Sequence, residues 1–557
     1  MKYFSRPSRE SAEGEYLAGV FGKHYEPFGT IGLSDATMLG TEGVVLEDIS
    51  GDTLAIHPEN ASWAFLSPGE ARWFPHLHNK PFGWLRHGML QHGPDAALDF
   101  AAHLYRRGLL TLNNHAAVDQ RMFADGPNYD EGNLIELLIT EKCNLACPYC
   151  LAGANSSMPA MNSEIARKTV DLAFNMAESN VLAFEFAGGE PFLKYDLMKE
   201  TVAYIRNHPL KGNRRLFLST QTNATLLNEE RVRWLKEQDI RVGISIDGGA
   251  QAQNKSRPQV NGKESFSKLA RGIDLLHRFE VPFGGLVVLN RSNADDPAEL
   301  ATTLLDLGIH GFRLNPIAYL GDARKNWNQV GLSQEHIIGF MKGLMAHIVD
   351  RKLPLHDMRH QAFHEPDDMF LKGLMAHIVD RKLPLLEDNV RSMCDFLTSK
   401  QRRTRCMRTH CGAGDTFQAV AANGDIYPCG RATQSPGLKL GNIFDPGLES
   451  LSQPSRSNDV MAQIRERRPA DLEGCSNCSY RQLCQSGCSA QAWERYGTVR
   501  HRTPECTFYK TLYPYLMHWL SFDEMAFDHL NAYSYFNNEG RHFSRDFAPV
   551  AGVPVTA

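Results

Sequence analysis

The chain has 557 residues, of which 42% are hydrophobic and 22% are charged, and its formal net charge at pH 7 is -5. This balance is typical of a soluble globular protein, and it excludes the strong positive charge that attracts nucleic acid or anionic membranes. The N-terminal residues lack a secretory signal and no stretch is apolar over about 18 residues, so we expect a cytoplasmic protein with no membrane or nucleic-acid partner.

Residues 1–125 are expected to form a small, separate α+β domain. Residues 95–107 read DAALDFAAHLYRR, a pattern that predicts a helix ending before Gly108, and the following LLTL predicts a strand. Four apolar side chains are expected on one face of this helix: Leu98, Ala101, Leu104 and Tyr105. Helices that end in a small β element favour a winged-helix module for peptide recognition, although other small folds share the pattern.

Residues 130–330 alternate short, apolar, β-branched runs with longer segments of helical periodicity, as repeated βα units do. Six strands are predicted, at residues 134–140, 181–187, 215–220, 242–246, 283–289 and 311–315. Successive parallel strands with right-handed crossovers curl toward a barrel. The sequence therefore predicts an α/β fold, a partial (β/α)6 barrel of the TIM type that is open because it has only six strands.

Unusual loops follow the first four of these strands. They read CNLACPYC at 143–150, AGGEP at 187–191, QTNATL at 221–226 and DGG at 247–249. The loops at the carboxyl ends of barrel strands carry the chemistry of such folds. We therefore expect the four loops to meet in one site.

Cys143, Cys147 and Cys150 make the first loop the centre of this site. The chain has 12 cysteines, and in a reducing cytosol clustered cysteines indicate metal ligands or catalysts more than disulfides. Structural zinc takes four ligands, whereas three thiolates can hold a [4Fe-4S] cluster and leave one iron open. A zinc site completed by a distant histidine is the alternative.

The spacing C-x3-C-x2-C, with Tyr149 before the third cysteine, resembles the signature of the radical S-adenosylmethionine (SAM) enzymes. The resemblance implies that the open iron binds SAM, and that an electron from the cluster cleaves SAM to methionine and a 5′-deoxyadenosyl radical. Gly188-Gly189-Glu190-Pro191 matches the GGEP motif of that family, in which glycines allow close approach and the glutamate can receive the SAM ammonium.

Four further residues stand where relatives contact SAM: Asn223, Ser245, Asp247 and Arg257. Turn chemistry at strand ends would equally favour Asn, Ser and Asp there. By resemblance, the SAM-binding set is Tyr149, Gly188, Gly189, Glu190, Asn223, Ser245, Asp247 and Arg257.

Residues 331–400 are predicted to form a helical linker with an internal duplication. The segment 340–355 recurs at 370–385 and differs only in having Leu371 for Met341. One duplicate does not make a solenoid, which needs three or more units. We interpret this repeat as a recent tandem duplication or as a sequence artefact.

Residues 401–510 contain the second group of cysteines. The spacing is C-x12-G-x4-C from Cys411, then C-x2-C-x5-C-x3-C from Cys475, then Cys506. This series resembles the SPASM domain of radical enzymes that mature peptides and proteins. A pair of zinc ribbons is the alternative, because C-x2-C pairs also bind zinc.

With Cys406 as an eighth ligand, the resemblance implies two auxiliary [4Fe-4S] clusters. Auxiliary cluster I would be held by Cys406, Cys411, Cys429 and Cys488. Auxiliary cluster II would be held by Cys475, Cys478, Cys484 and Cys506. Cys394 remains, and we interpret it as a small buried hydrophobic residue. The aromatic tail at 511–557 is expected to form a helix that covers the barrel or the auxiliary domain.

These features predict a radical SAM oxidoreductase that modifies a precursor peptide or protein, with a flavodoxin or ferredoxin as external electron donor. The outcomes left open are a thioether, a carbon–carbon or cyclophane cross-link, epimerisation and oxidation. A radical enzyme for a small molecule and a non-catalytic iron–sulfur electron carrier are the alternatives. Iron–sulfur centres cover potentials of roughly -700 to +450 mV, so the auxiliary clusters can be tuned to accept an electron from the substrate.

One position departs from the family pattern. Sulfatase-maturing relatives carry an aspartate after the cysteine of G-x4-C, where it acts as a base, but this chain reads Cys429-Gly430-Arg431. Formylglycine formation by that route is therefore in doubt. Asp415 and Asp425 are candidates for a replacement base, with no pattern to support either, so the sequence predicts no catalytic base.

Overall fold

The computed structural model describes residues 32–117, 132–176, 180–332 and 411–522, together with 386–387, 392–394, 396–397 and 406. The duplicated segments at 340–355 and 370–385 lie outside the described residues, as does the tail beyond 522. The predicted linker and the ends of the N-terminal and C-terminal segments therefore stay predictions.

Residues 32–117 form an N-terminal unit with its own apolar core. Its strands are β1 (Met38–Gly40), β2 (Val45–Ile49), β3 (Asp52–His57), β4 (Ser62–Leu66), β5 (Lys80–Pro81), β6 (Thr111–Leu112) and β7 (His115–Ala116). Its helices are α1 (Pro68–Trp73), α2 (Phe82–Met89) and α3 (Ala96–Arg106). The strands form one sheet of order β2-β3-β4 and another of order β5-β1-β6-β7. The winged-helix interpretation of this α+β unit stays a prediction.

Helix α3 confirms the helix predicted at 95–107, and Gly108 follows it with a φ of 71°, a backbone conformation that glycine adopts without strain. The predicted apolar face is wrong at Leu98, which is 39% exposed. Phe100 is buried in the core of the unit instead. The buried stripe starts at Ala97. Leu98 is the next residue, and one step along an α-helix rotates a side chain by about 100° around the axis, which takes Leu98 out of this stripe.

A single sheet dominates the rest of the protein, with strand order β14-β13-β12-β11-β10-β9-β8-β15-β16-β17. Its first seven strands in the chain are β8 (Asn133–Thr140), β9 (Val181–Gly188), β10 (Arg215–Thr222), β11 (Ile240–Ser245), β12 (Phe283–Leu289), β13 (Gly311–Pro316) and β14 (Leu386–Glu387). Strands β8 to β13 pair in parallel with their neighbours in chain order. The six predicted strands are confirmed, each to within two residues.

Helices connect the parallel strands, as βα units require. They are α4 (Ser163–Phe174), α5 (Tyr195–Arg206), α6 (Glu229–Glu237), α7 (Ala250–Ser256), α8 (Phe266–Arg278), α9 (Pro297–Asp306), α10 (Asp322–Lys325) and α11 (Trp327–Val330). Alternate residues of β8, namely Ile135, Leu137 and Ile139, enter the same core as Val170 of α4 and Ile273 of α8. The helices therefore cover one face of the sheet.

The other face of the parallel strands carries polar side chains, and we call it the polar face. It includes Glu136, Glu185, Ser219, Gln221, Ser245 and Arg313. Burial raises the pKa of Glu185 on β9, and the positive charge of Arg313 on β13 opposes this rise. Four strand spacings in a flat sheet would separate these strands by about 19 Å, so the sheet must curl for the two charges to interact.

The C-terminal unit continues the same sheet. Strand β15 (Phe417–Val420) pairs in parallel with β8, and β16 (Asp425–Tyr427) and β17 (Gly441–Asn442) follow it in antiparallel pairs. The helices of the unit are α12 (Gln453–Arg456), α13 (Asp459–Arg465), α14 (Arg481–Cys484), α15 (Ser489–Tyr496) and α16 (Cys506–Phe522). This pairing fixes the second cysteine group beside the first strand of the parallel domain.

Helix α16 packs into the main core through Tyr513, Leu516 and Met517. Its His518 lies 3.0 Å from Asp52 of the N-terminal unit, measured from Nε2 to Oδ2. The N-terminal unit also meets the C-terminal unit through a salt bridge between Glu59 and Arg481. Among the described helices, none has the length and apolar character needed to cross a membrane.

Candidate active site

The three-cysteine loop leaves β8 at its carboxyl end. Cys143, Cys147 and Cys150 are free thiols, and each is half-buried. The backbone N–H of Leu145 donates to Sγ of Cys143, and that of Ala154 donates to Sγ of Cys150, each at 3.4 Å. Such N–H donors favour the thiolate form, which is the form that binds iron.

The three thiols are also close enough to affect one another. Burial raises the pKa of Cys143 to about 12, and the charge of Cys150 contributes to the rise. Burial raises the pKa of Cys147 as well, and the charges of Cys143 and Cys150 add to it, whereas Arg257 opposes it. Among the described residues, no group of three or more His, Cys, Asp or Glu side chains is arranged closely enough to hold a single metal ion. The donor set of three neighbouring, unpaired thiols nevertheless fits a [4Fe-4S] cluster with one open iron.

The glycine pair at the end of β9 packs directly against this loop. The N–H of Gly189 donates to the carbonyl of Thr140 at 2.7 Å, and the N–H of Glu190 donates to that of Lys142 at 2.8 Å. A Cβ at position 188 would lie 2.1 Å from the carbonyl oxygen of Thr140, and the φ of Gly188 is 124°. The GGEP motif therefore holds the cysteine loop through the backbone, which only glycine allows at this distance.

We expect Gly189→Ala to destabilise the site, because the new Cβ would lie 2.1 Å from the carbonyl oxygen of Lys142. Overpacking of this kind costs about 1–3 kcal/mol of unfolding free energy, and here the opposing atom belongs to a rigid backbone. Urea denaturation would measure the loss of stability, and the iron content after anaerobic reconstitution would measure the loss of cluster binding. Gly69→Ala is the control, since its nearest neighbour in helix α1 is Ser67 Oγ at 4.0 Å. Equal behaviour of the two variants would contradict the backbone role of the motif.

Glu190 is fully buried and its carboxylate is held by protein donors. Oε1 accepts hydrogen bonds from the N–H of Phe192 at 3.1 Å and from the hydroxyl of Thr222 at 2.8 Å. Oε2 accepts one from the N–H of Asn223 at 2.9 Å. Burial raises the pKa of Glu190 to about 6, and these hydrogen bonds limit the rise. Its contact with the SAM ammonium stays a prediction.

Asn223 and Ser245 stay close to the same mouth. The Nδ2 of Asn223 lies 3.9 Å from Sγ of Cys143 and donates to Oδ1 of Asn144 at 3.0 Å. Ser245 accepts a hydrogen bond from Nε2 of Gln221 at 3.0 Å on the polar face. The structure thus brings Asn223 to the cysteine loop, and the roles of both residues toward SAM stay predictions.

Asp247, Arg257 and Tyr149 form one buried network. Oδ1 of Asp247 accepts from Nη2 of Arg257 and from the N–H of Val288, each at 3.0 Å. Oδ2 accepts from the hydroxyl of Tyr149. The guanidinium of Arg257 also lies 5.5 Å from the centre of the Tyr149 ring. The network ties the cysteine loop to the end of β11, so all three predicted residues have structural partners, and their contacts with SAM stay predictions.

The cysteines assigned to auxiliary cluster I come together at the edge of β8. Burial raises the pKa of Cys411, and the charges of Cys406 and Cys488 raise it further. Burial likewise raises the pKa of Cys429, followed by the charges of Cys488, Cys411 and Cys406. Four thiols that interact in this way fit the fully ligated cluster that the sequence predicts.

The cysteines assigned to auxiliary cluster II line one pocket, which is formed by Cys475, Cys478, Cys484 and Cys506. Arg502 and Lys510 line the same pocket. Four thiols with cations beside them fit an anionic thiolate-ligated cluster. The assignment of the eight cysteines to two auxiliary clusters stays a prediction.

Arg467 is a buried cation that sequence reasoning missed. Its guanidinium donates to the carbonyl of Gly487 at 2.9 Å and to that of Ser486 at 3.0 Å. Burial lowers its pKa, and the charges of cysteines from both groups, first Cys488 and Cys411, oppose this. Arg467 thus lies between the two auxiliary sites, and only the fold shows this because the residue belongs to no cysteine motif.

Glu136 and Glu185 were also missed. They are register partners on β8 and β9 and face each other on the polar face. Burial, and then the negative charge of Glu185, raises the pKa of Glu136 to about 8. Glu136 is the only acid in the apolar strand sequence LIELLIT, and Glu185 is the only acid in VLAFEFA. That lone polar residue at matching positions of adjacent strands is the signal that could have found them.

Comparison with known families decides the class of the protein. Residues 137–304 match the Radical SAM superfamily, and residues 411–479 match the SPASM iron–sulfur cluster-binding domain. The chain therefore contains a radical SAM domain and a SPASM domain. The radical SAM domain implies a [4Fe-4S] cluster and SAM as cofactors, and the SPASM domain implies auxiliary iron–sulfur clusters.

Several curated proteins are similar to this chain. An uncharacterized protein of Methanocaldococcus jannaschii is 35% identical over 173 residues, which cover 31% of this chain and 58% of that protein. The cysteine-type anaerobic sulfatase-maturating enzyme of Clostridium novyi is 25% identical over 357 residues, 63% of this chain and 85% of that one. The serine-type enzyme of Klebsiella aerogenes is 31% identical over 208 residues, 36% of this chain and 50% of that one.

A solved structure of anSMEcpe with bound AdoMet shares the fold. Its TM-score is 0.54 at 20% identity, and the match covers 72% of this chain and 98% of that one. The radical SAM fold predicted from the sequence is therefore confirmed.

Proposed function

We propose that this enzyme cleaves SAM reductively at the three-cysteine loop and modifies a peptide or protein residue on the polar face of the sheet. The observation that carries the proposal is the placement of three cysteine sets around one parallel sheet. Cys143, Cys147 and Cys150 lie at its carboxyl edge, the first auxiliary set lies beside β8, and the second lines a pocket of the C-terminal unit. The relatives named as sulfatase-maturating enzymes support a protein or peptide substrate.

The bound cluster would supply one electron to SAM, whose cleavage gives methionine and a 5′-deoxyadenosyl radical. The residues of this chain contribute by holding the cysteine loop and by orienting SAM. The backbone of Gly188 and Gly189 holds the cysteine loop, and Glu190 offers a carboxylate oxygen to the SAM ammonium. The buried Asp247–Arg257 pair binds Tyr149 and so holds the cysteine loop at the end of β11.

The polar face suits a substrate that brings hydrogen-bonding groups. Its side chains include Glu136, Glu185, Gln221 and Arg313, so a peptide backbone would find both acceptors and donors there. The N-terminal unit is proposed to guide the peptide, and its salt bridge between Glu59 and Arg481 holds it beside auxiliary site II. A thioether, a carbon–carbon or cyclophane cross-link, epimerisation and oxidation are the candidate outcomes.

The test combines SAM cleavage with peptide mass spectrometry. We expect the anaerobically reconstituted, reduced enzyme to form 5′-deoxyadenosine from SAM, and to change the mass or deuterium content of a candidate peptide encoded beside its gene. A loss of two hydrogens would indicate cross-linking or oxidation, and deuterium uptake without that loss would indicate epimerisation. Reduced protein that forms no 5′-deoxyadenosine would contradict the proposal and favour a non-catalytic electron carrier.

A flavodoxin or ferredoxin is the proposed external donor, and chemical reduction replaces it in this assay. Turnover of a small molecule in the absence of any peptide would favour the rival enzymatic function. The measurement that separates the two is the same 5′-deoxyadenosine yield with and without the peptide.

A further inference from the structure

The junction between the parallel sheet and the C-terminal unit contains an acid with no role in holding a cofactor. On β8, Leu138 belongs to a core formed with C-terminal residues such as Tyr427. Glu136 is two residues earlier and therefore faces the same way. Its register partner across to β9 is Glu185. The two carboxyl groups thus lie on the polar face, where that face meets the C-terminal unit.

Gly430 makes room for the Glu136 carboxyl group. A Cβ at position 430 would lie 2.2 Å from Oε2 and 2.4 Å from Oε1 of Glu136. The backbone N–H of Gly430 hydrogen-bonds to the same carboxylate. Any side chain at 430 would therefore displace Glu136, so the glycine and the glutamate act as a pair.

Gly430 directly follows Cys429, which is assigned to auxiliary cluster I. The charge of Glu136 reaches the Cys429 thiol, where it adds to the effect of burial in raising its pKa. The Glu136 carboxyl group therefore lies beside a residue assigned to auxiliary cluster I. The two other acids considered for a base are occupied, because Asp415 pairs with Arg465 at 3.0 Å and Asp425 pairs with Lys439 at 2.6 Å.

We propose that Glu136 is the catalytic base of the modification, held by Gly430 and taking a proton from the substrate beside auxiliary cluster I. This inference rests on the proposed function and narrows it. The substrate would lose two hydrogens, one as an atom to the 5′-deoxyadenosyl radical and one as a proton to Glu136. The electron left behind would pass to an iron–sulfur centre, so the product is oxidised by two electrons overall and is not an epimer.

The charges around Glu136 suit this role. Glu185 faces it from β9, the Gly430 N–H faces it from the C-terminal unit, and Arg313 from β13 acts on Glu185. Burial and then Glu185 raise the pKa of Glu136 to about 8, whereas the Gly430 N–H opposes the rise. A carboxylate with a pKa near the working pH is a stronger proton acceptor than an ordinary glutamate.

The geometry is tested first without cofactor or substrate. We expect Gly430→Ala to lower the Tm of the unloaded full-length protein by several degrees, and to lower it less in a Glu136→Ala background, where the clash is gone. An equal decrease in both backgrounds would overturn the pairing of the two residues. This readout is independent of activity and requires no known substrate.

The chemistry is tested with the peptide that the wild-type enzyme modifies. We expect E136Q to keep its iron and its peptide affinity, and to lose about 100-fold or more of the product that lacks two hydrogens. Glu200→Gln is the control, because that carboxylate pairs with Arg167 on the surface. Full product from E136Q, or loss of peptide affinity equal to the loss of product, would overturn the proposal. A failure of the proposed function can be told apart from a failure of this inference, because the wild-type enzyme would then form no 5′-deoxyadenosine.

Discussion

Replacement of Cys143, Cys147 and Cys150 by alanine is expected to reduce 5′-deoxyadenosine formation to the background of a reaction without enzyme. The three side chains are the thiol donors on the loop after β8, so no thiolate remains to hold the open cluster. The reconstituted variant should contain about four irons per chain fewer than the wild type. Iron and sulfide analysis, ultraviolet–visible absorption and chromatography of the nucleoside product would measure these losses.

Cys394→Ala is the matched control for the triple variant. Cys394 is buried in the main core, as expected for a small apolar residue, and lies in none of the three cysteine sets. It should retain the full iron content and the full yield of 5′-deoxyadenosine. A triple variant that still cleaved SAM would contradict the assignment of the loop, and a loss of iron from Cys394→Ala would contradict the grouping of the cysteines.

Asp247→Ala is expected to cost the largest amount of stability of any single substitution considered. Asp247 is fully buried, and its carboxylate accepts from the Arg257 guanidinium, the Tyr149 hydroxyl and the Val288 N–H. Its removal leaves a buried, uncompensated guanidinium, and the loss of one partner of such a pair typically costs about 3–5 kcal/mol. Urea denaturation followed by tryptophan fluorescence would measure the shift in the transition midpoint.

Asp274→Ala provides the comparison on the surface. Asp274 pairs with Arg278 one helical turn away in α8, at 3.3 Å, but its side chain is 68% exposed. Exposed pairs contribute about 1 kcal/mol or less, so this variant should unfold close to the wild type. If Asp247→Ala were as stable as Asp274→Ala, the network would not be what holds the cysteine loop to β11.

Much of the candidate site could be predicted from the sequence because its ligands are local. Cys143, Cys147 and Cys150 lie within eight residues, and the six strands are short apolar runs with polar boundaries. The periodicity of a strand or a helix depends on residues that are close together in the sequence, so such elements can be predicted before the tertiary structure is known. The error at Leu98 shows the limit, since a shift of one residue rotates a helix position from the core to the solvent.

The grouping of the auxiliary cysteines came from a family resemblance and stays a prediction, but the fold shows that distant cysteines come close together. Cys429 and Cys488 are 59 positions apart, yet their charges interact. The pairing of β15 with β8 brings the first set to the edge of the parallel domain. Spacing alone does not decide which thiols share a cluster, because the chain between them can close in more than one way.

The sequence by itself determined the class of cofactor, the parallel α/β domain and the cysteine motifs, because each depends on residues close together in the chain. Only the tertiary structure decided the contacts across strands and units. Glu136 contacts Glu185 because of the strand register and Gly430 because of the docking of the C-terminal unit, and Asp247 contacts Tyr149, which lies 98 positions earlier in the chain. Burial and the neighbouring Glu185 raise the pKa of Glu136, and neither effect can be found from the residues next to it in the sequence.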